Sequence, residues 1–333
     1  MHDWLCYTTH AREGEPHHVN DRQLIVAALQ RQGLADAQPG WQAEIVPGGL
    51  NSRVWLVRAP DGRPVWTVRM ARPRLEWRLR HELVVLMQLA GTGSACVPRR
   101  PTIVGDPHVP GGELLVHAWS PGEPAPLAQV SDRARETLGM CLARLHAHSR
   151  RAFTIWPDIV GRPGSRRDAY GARLGALRRY NTYSGGISEE IDRRLAAVLQ
   201  TLRRSPPAGQ GWEAREFSLL HGDLSAGNVL WQGEAVRLID WEYVRTGDPA
   251  EDLAYLTTEQ VLDTTSWNDL ARGYISAGGD LRTLERVPRY RPLVALDAAL
   301  WWADYLFSRR LPAATRPEVL HRLVLAETFV ADW

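Results

Sequence analysis

The chain has 333 residues and a formal net charge of +2, and all 40 of its basic residues are arginine because it contains no lysine. This length is sufficient for two lobes, each with its own core. The near-neutral charge, without a basic run, argues against nucleic acid as the main partner. The first twenty residues contain no apolar segment that would indicate export, and no later run reaches the roughly 18 apolar residues of a membrane span. We therefore expect a cytoplasmic protein that binds neither nucleic acid nor a membrane.

The first third of the chain predicts a small lobe made of strands and one main helix. Residues 1–20 are polar and are expected to be loose, and a short helix follows them. Strands are predicted over residues 43–46, 54–57, 65–70 and 114–119, with turns that contain Pro and Gly. Helical periodicity over residues 75–89 separates the third strand from the fourth. Residues 21–120 are therefore predicted to form one antiparallel-sheet lobe.

The rest of the chain, residues 121–333, predicts a larger and mainly helical lobe. Helices are predicted over residues 135–148, 187–202, 249–260, 266–276, 292–307 and 316–330. Residues 150–215 are rich in Arg, Gly and Pro around a single helical patch, and we interpret them as an insertion. The predicted fold class is therefore α+β.

The stretch 221–242 reads HGDLSAGNVLWQGEAVRLIDWE and has a spacing typical of phosphoryl transfer from a nucleotide. Asp223 follows an apolar run, Asn228 comes five residues later, and Asp240 ends the next apolar strand. Two short strands joined by a turn would bring these three polar side chains together. The reaction needs an oriented acceptor hydroxyl and hard oxygen ligands for Mg²⁺. The sequence therefore predicts Asp223 as the base, with Asn228 and Asp240 as the metal ligands.

This motif resembles that of the aminoglycoside phosphotransferase and choline kinase-like family, and most of all that of the antibiotic phosphotransferases. The resemblance covers roughly residues 20–310 and implies a two-lobed protein-kinase-like fold that uses ATP or GTP together with Mg²⁺. It implies the same roles for the three polar residues, and it implies that His221 braces the catalytic loop. Asp248 and Asp252 match the segment that follows the metal ligand, and we expect them to cap helix ends and to hold the loop. Because these residues follow Asp240 so closely, no room is left for a protein-kinase activation segment.

The turn between the first two predicted strands resembles the loop that covers the phosphates in this family. Glycine allows backbone N–H groups to approach anionic oxygens closely. A plain hairpin turn is the alternative, because the GxGxxG pattern is absent. The residues concerned are Gly48, Gly49, Asn51 and Ser52.

Arg69 stands in the third predicted strand, where related kinases place the lysine that binds phosphate. Glu82 lies thirteen residues later in the predicted helix and fits the carboxylate partner of that cation. An arginine keeps the charge and can form a forked contact with phosphate or carboxylate oxygens. The competing candidates for this position are Arg58, Arg72 and Arg74.

The strand predicted over residues 114–119 would lead towards the nucleotide base. By position, we expect the carbonyl group of His117 and the N–H group of Trp119 to contact the purine edge. Such backbone contacts do not depend on side-chain identity, so the choice between ATP and GTP stays open.

The acceptor is expected to bind to the helical half, where five residues are candidates for contacting it. They are Asp263, Asp269, Trp301, Trp302 and Asp304. The tryptophans could stack on a ring or on a quaternary amine, although a role in the core is the alternative. The insertion is rich in arginine and does not resemble a site for cations. We therefore expect a hydroxylated natural product of modest charge, such as a nucleoside, peptide or macrolide antibiotic, ahead of an aminoglycoside.

Two other functions are compatible with the sequence. One is a housekeeping kinase for a metabolite such as choline, homoserine or thiamine. The other is a nucleotide-binding protein without activity, which the presence of all three motif residues disfavours. The sequence leaves open whether the protein is a monomer or a homodimer.

Overall fold

The computed structural model describes residues 18–47, 52–72, 75–91, 96–150, 189–204, 217–260, 262–309 and 316–331. The chain divides into two units. The first unit comprises Met1–Gly122 and Arg237–Glu242, and the second comprises Glu123–Val236 and Tyr243–Trp333. The predicted loose segment lies outside the described residues up to residue 17, and a helix begins at His18.

The first unit is built on an antiparallel sheet with the strand order β1-β2-β3-β5-β4. Its strands are β1 (Gln42–Val46), β2 (Ser52–Arg58), β3 (Pro64–Ala71), β4 (Thr102–Gly105) and β5 (Glu113–Ala118). Its helices are α1 (His18–Arg31) and α2 (Glu76–Ala90). The meander β1-β2-β3 follows the prediction, whereas β4 was not predicted because it is short and flanked by proline.

The core of the first unit joins α1 to the sheet. Ile25 and Leu29 of α1 are buried together with Trp55 of β2 and Trp66 of β3. The indole N–H of Trp66 donates to the carbonyl group of Leu34 at 2.9 Å, so this buried polar group is satisfied. Helix α2 also has a buried apolar face, and the one charged residue on that face is Glu82. The fold thereby buries a carboxylate, which requires a partner.

The second unit is mainly helical. Its helices are α3 (Asp132–His146), α4 (Glu189–Arg204), α5 (Pro249–Glu259), α6 (Thr264–Ser276), α7 (Leu281–Arg309) and α8 (Arg316–Ala331). The remaining strands are β6 (Glu123–Pro124), β7 (Ser149–Arg150), β8 (Phe217–Leu220), β9 (Val229–Gln232), β10 (Ala235–Leu238) and β11 (Arg245–Gly247). They form two small sheets with the strand orders β10-β9-β6 and β11-β8-β7.

A sheet-based first unit and a helical second unit confirm the predicted α+β class. The main correction concerns α7, which was predicted to begin near residue 292. The helix begins at Leu281 and continues through Pro288 and Pro292, so the residues before 292 are helical as well. Among the described helices, none combines the length and the apolar character needed to span a membrane.

Helices α3 and α6 approach each other closely enough for their backbones to touch. A Cβ atom on Gly273 of α6 would lie 2.0 Å from the carbonyl oxygen of Glu136, and one on Gly139 of α3 would lie 2.1 Å from that of Leu270. No side chain can occupy either position without separating the helices. The two glycines therefore set the distance between α3 and α6.

We expect Gly273→Ala to destabilise the protein by about 1–3 kcal/mol, because the added methyl group forces the two backbones apart. The free energy of unfolding measured in urea tests this. Gly105→Ala is a suitable control, because a Cβ atom there meets nothing within 4 Å. Equal stability of the two variants would contradict the proposed contact.

Candidate active site

The segment that carries the predicted base is held in place by one buried carboxylate. Asp252 of α5 accepts the backbone N–H groups of His221 at 2.7 Å and of Gly222 at 2.9 Å. Its Oδ2 atom also lies 3.2 Å from Nε2 of His146. Burial opposes the charge of Asp252, yet the contact with His146 and the nearby positive groups hold its pKa below the ordinary value. Asp252 is therefore an anion that fixes the backbone just before Asp223, in agreement with its predicted supporting role.

Gly222 is the residue that makes this tight turn possible. Its φ angle is +85°, a left-handed conformation that favours glycine. A Cβ atom there would lie 2.3 Å from the carbonyl oxygen of Tyr243. The central position of the His-Gly-Asp sequence therefore requires glycine for steric reasons.

Asp223 has a donor on each of its carboxylate oxygens. The hydroxyl group of Tyr255 donates to Oδ1 at 2.8 Å, and the side-chain amide of Asn228 donates to Oδ2 at 2.9 Å. The same amide also donates to the backbone carbonyl of Asp223 at 3.0 Å. Because its nitrogen makes both bonds, Asn228 presents its amide oxygen as a hard ligand suited to Mg²⁺.

Tyr255 was missed in the sequence because tyrosine is common in buried helices. One signal could have identified it, since it lies three residues after Asp252 on α5. Residues at this spacing share a helix face, so a helix that holds the loop with Asp252 also turns Tyr255 towards it. His221 has the bracing position that was predicted, because its Nδ1 atom lies 3.3 Å from the backbone nitrogen of Asp223.

Asp248, the other predicted supporting residue, caps α5. Its Oδ1 atom accepts the N–H group of Ala250 at 3.0 Å, which satisfies a free donor at the start of the helix. Both carboxylate oxygens also accept from Arg286 at 2.8 Å, and the hydroxyl group of Tyr290 donates to Oδ2 at 3.2 Å. The helix that carries Asp252 and Tyr255 therefore has a firmly fixed start.

In the first unit, a second cluster forms around the buried side chain of Arg69. The Nη1 atom lies 2.8 and 2.7 Å from the two carboxylate oxygens of Glu82. The Nη2 atom lies 2.8 Å from Oδ1 of Asp240 and 3.3 Å from Oε2 of Glu242. Ser52 accepts from both Nε and Nη2, at 3.3 and 3.0 Å. The strand-to-helix pair of Arg69 and Glu82 is thus present, and its guanidinium donors are occupied.

Among the residues that the structure describes, this cluster brings three carboxylates together with two guanidinium groups. Three carboxylates surround Arg69, and Arg78 adds a second guanidinium 3.8 Å from Glu242. Burial disfavours the charge of Arg69, but Asp240, Glu82 and Glu242 together raise the pKa of Arg69 above its ordinary value. These carboxylate oxygens are suited to an added cation.

Asp240 fits the role of metal ligand in two respects. Its Oδ1 atom is buried and lies 2.8 Å from Nη2 of Arg69, in an ion pair. Its φ angle is +64°, an unusual conformation for a residue other than glycine, and such conformations concentrate at functional sites. A carboxylate oxygen is among the hard oxygen ligands that Mg²⁺ prefers.

The competitors of Arg69 have other positions. Arg58 is partly exposed, and its Nε atom pairs with Glu44 at 3.1 Å. Arg72 directly follows β3, and Arg74 lies outside the described residues. Gly48, Gly49 and Asn51 also lie outside the described residues, so their predicted phosphate contacts stay predictions.

The predicted purine contacts need correction. The N–H group of Trp119 donates to the carbonyl of Val65 at 2.9 Å and is therefore already used within the sheet. Backbone groups alternate sides along a strand, so the carbonyl of His117, which pairs with Thr67, faces the same neighbouring strand. His117 itself is buried, and burial lowers the pKa of its imidazole to about 4. Neither backbone group is offered to a nucleotide, so we no longer propose these contacts.

Two of the predicted acceptor-binding carboxylates have structural partners instead. Asp263 caps α6, because its Oδ1 atom accepts the N–H group of Ser266 at 2.7 Å. Asp269 is buried and pairs with Arg135 of α3 at 2.7 Å and with Arg272 at 3.0 Å. Asp269 thus stabilises the contact between α3 and α6, which corrects the prediction for it, whereas a contact of Asp263 with an acceptor stays a prediction.

The two tryptophans lie half-buried on α7. The indole N–H of Trp301 donates to the hydroxyl group of Tyr243 at 3.0 Å, and the two indole rings meet edge to face with centroids 5.2 Å apart. The guanidinium group of Arg322 lies 5.6 Å from the ring of Trp302. Stacking on an acceptor stays a prediction, and the side chain of Asp304 lies outside the described residues.

The model of the phosphotransferase enzyme family matches residues 42–322, which is more than half of the chain. The chain belongs to the phosphotransferase enzyme family. This confirms the family that the motif predicted.

The phosphotransferase is similar in sequence to proteins of two kinds. It is 34% identical to viomycin phosphotransferase of Streptomyces vinaceus over 125 residues, which are 35% of this chain and 38% of that protein. It is 30% identical to thiamine kinase of Shigella boydii serotype 4 (strain Sb227) over 112 residues, which are 33% of this chain and 39% of that protein. The matches thus span about two fifths of the length of these curated relatives.

The phosphotransferase is similar in fold to the crystal structure of macrolide 2'-phosphotransferase from Brachybacterium faecium. The TM-score is 0.59 at 22% identity, and the match covers 91% of this chain and 98% of that one. This likeness confirms the predicted protein-kinase-like fold class.

We expect Arg69→Lys to weaken nucleotide binding and to lower the melting temperature. An ammonium group has three donors at one point, so it cannot reach Glu82, Ser52 and Asp240 together as the planar guanidinium does. The three carboxylates would then lose part of their compensation, at a cost of about 3 kcal/mol or more when a buried pair is broken. Thermal melts and calorimetric titration with Mg-nucleotide measure both effects.

Arg58→Lys is the matched control, because Arg58 pairs with a single carboxylate on a partly exposed strand. It should change neither property noticeably. If Arg69→Lys behaved like Arg58→Lys, the guanidinium geometry would not be what the cluster requires.

Proposed function

We propose that the chain transfers the γ-phosphoryl group of ATP or GTP to a hydroxyl group of a small molecule. The observation that carries this proposal is the Asp223 carboxylate, which is held by a donor on each oxygen within a loop fixed by Asp252. A base for this reaction must be held in one orientation and must accept a proton. The family assignment supports the same chemistry.

In this proposal the reaction is a direct in-line transfer without a covalent enzyme intermediate. The acceptor oxygen attacks the γ-phosphorus while the Asp223 carboxylate receives the hydroxyl proton. The bond between the phosphorus and the bridging oxygen breaks, and the nucleoside diphosphate leaves with that electron pair. Catalysis then depends on the positioning of the acceptor hydroxyl and the γ-phosphoryl group, and on compensation of the negative charge of the phosphate oxygens.

We assign Mg²⁺ to the amide oxygen of Asn228 and the carboxylate of Asp240. When bound, this ion would compensate the charge of the phosphate oxygens. The carboxylates that meet around Arg69 support the need for a cation, and the place of Asp240 among them supports this residue as its ligand.

The contacts of Arg69 indicate that direct phosphate binding is not its main role. Its donors are engaged by Glu82, Ser52, Asp240 and Glu242, so a direct phosphate contact requires one of these partners to leave. We propose that Arg69 mainly orients Asp240 for the metal.

We propose an antibiotic or a related natural product as the acceptor, so that phosphorylation would confer resistance. The similarity to viomycin phosphotransferase supports this class. Two carboxylates of the helical unit are paired with arginine, in the bidentate pair of Glu259 with Arg322 and the pair of Asp269 with Arg135. Such pairs do not supply negative charge for a polycation, which favours a nucleoside, peptide or macrolide over an aminoglycoside.

A metabolite kinase is the second candidate, and the similarity to thiamine kinase favours it. The two candidates share the chemistry at Asp223 and differ in the acceptor alone. Incubation with Mg-ATP or Mg-GTP and a panel that includes viomycin, macrolides, nucleosides, thiamine and choline separates them. Mass spectrometry identifies the acceptor that gains one phosphoryl group.

With an acceptor identified, we expect Asp223→Ala to reduce kcat by on the order of 10² or more, because general-base help contributes about 10²–10⁴. Calorimetric titration should show that nucleotide binding is kept. Asp132→Ala, at an exposed aspartate at the start of α3, should leave both properties unchanged. Turnover of Asp223→Ala close to that of the unmodified protein would refute the proposed base.

A further inference from the structure

We propose that Tyr255 is a positioning residue, which orients the Asp223 carboxylate through the hydrogen bond from its hydroxyl group to Oδ1. This inference rests on the proposed function, in which Asp223 is the base. It adds a residue that the sequence motif does not contain.

The two donors on Asp223 together fix the orientation of its carboxylate. A carboxylate held on one oxygen can still rotate about its Cβ–Cγ bond. Tyr255 binds Oδ1 at 2.8 Å and Asn228 binds Oδ2 at 2.9 Å, so the pair of contacts fixes that rotation. The remaining lone pairs then keep one direction, which is the direction from which a hydroxyl proton must arrive.

Tyr255 is suited to act as a permanent donor. Burial, followed by the charges of Asp223 and Glu259, raises the pKa of the Tyr255 phenol well above its ordinary value, and Arg322 opposes this only in part. The phenol therefore keeps its proton at any working pH. It cannot serve as a second base, and its one proton is directed at Asp223.

Helix α5 holds the loop at three separate points. Asp252 accepts the N–H groups of His221 and Gly222, and Tyr255 holds the side chain of Asp223. At the end of the helix, the side-chain amide of Gln260 lies 3.4 Å from the carbonyl of Leu224. Because the loop backbone has its own anchors, removing the Tyr255 hydroxyl should disturb the carboxylate without unfolding the loop.

The test is Tyr255→Phe, which removes the hydroxyl group and keeps the ring. We expect kcat to fall about tenfold or more, since a hydrogen bond to a charged group is lost, while the KM for the nucleotide changes less than about twofold. The melting temperature should stay close to that of the unmodified protein. A merely structural role would instead lower the melting temperature and leave kcat per folded molecule unchanged.

Tyr290→Phe is the matched control. Its hydroxyl group donates to Asp248, which also keeps its contacts with Arg286, so the same chemical change is made at another tyrosine–aspartate pair of the second unit. Because Asp248 keeps Arg286 and the N–H group of Ala250, we expect a clearly smaller change in kcat than that of Tyr255→Phe. A fall in kcat as large as that of Tyr255→Phe would overturn the specific role of Tyr255.

The release of phosphate from Mg-ATP and Mg-GTP, with water as the acceptor, measures turnover even before an alcohol acceptor is known. A double-mutant cycle with Asp223→Asn then decides how Tyr255 acts. If Tyr255 works through Asp223, Tyr255→Phe should have little further effect in the Asp223→Asn background. An equal effect in both backgrounds, or no effect on kcat in either, would overturn the inference.

The same cycle separates the inference from the proposed function. If Asp223→Asn lost turnover and Tyr255→Phe did not, the positioning role would be wrong while the base assignment stood. If Asp223→Asn kept full turnover, the proposed function of Asp223 would itself be wrong.

Discussion

The buried carboxylate of Asp252 is the interaction on which the second unit's site depends. A buried anion is unfavourable unless it is paired and hydrogen-bonded, and here two backbone N–H groups and His146 satisfy it. The same interaction fixes the turn at Gly222, whose conformation leaves no space for a side chain. The backbone just before Asp223 is therefore fixed, and only the carboxylate of Asp223 remains to be oriented.

The first unit also buries carboxylates that need a partner, and it provides this partner without a lysine. Arg69 meets three carboxylates and a serine, which a planar group with five donors can satisfy and an ammonium group cannot. An arginine in place of lysine preserves the positive charge, as the sequence suggested. It also increases the number of partners that the side chain can bind at once. In our proposal, Arg69 serves the nucleotide by arranging carboxylates around a cation, and direct phosphate binding becomes secondary.

The sequence predicted the elements of both units well where periodicity or turn residues are strong, as in the β1-β2-β3 meander. It also predicted the pairing of Arg69 with Glu82, because a fixed spacing between strand and helix carries that information. It could not predict that the N–H group of Trp119 donates to the carbonyl of Val65, because the register between the two strands decides this. Asp269 was misassigned because a carboxylate in a helix has the same appearance whether it binds a ligand or Arg135. Tyr255 was missed for a similar reason, since one tyrosine in a helix carries no motif.

The central claim is that an ionised, buried Asp252 holds the loop in the form that Asp223 requires. Hydrogen exchange of the His221 and Gly222 amides in Asp252→Asn tests it most directly. The side-chain amide can accept one of these N–H groups but places a donor against the other, so exchange at the two amides should accelerate about tenfold or more. Turnover should fall in parallel while nucleotide binding is kept. Unchanged protection of both amides, with unchanged turnover, would contradict the account.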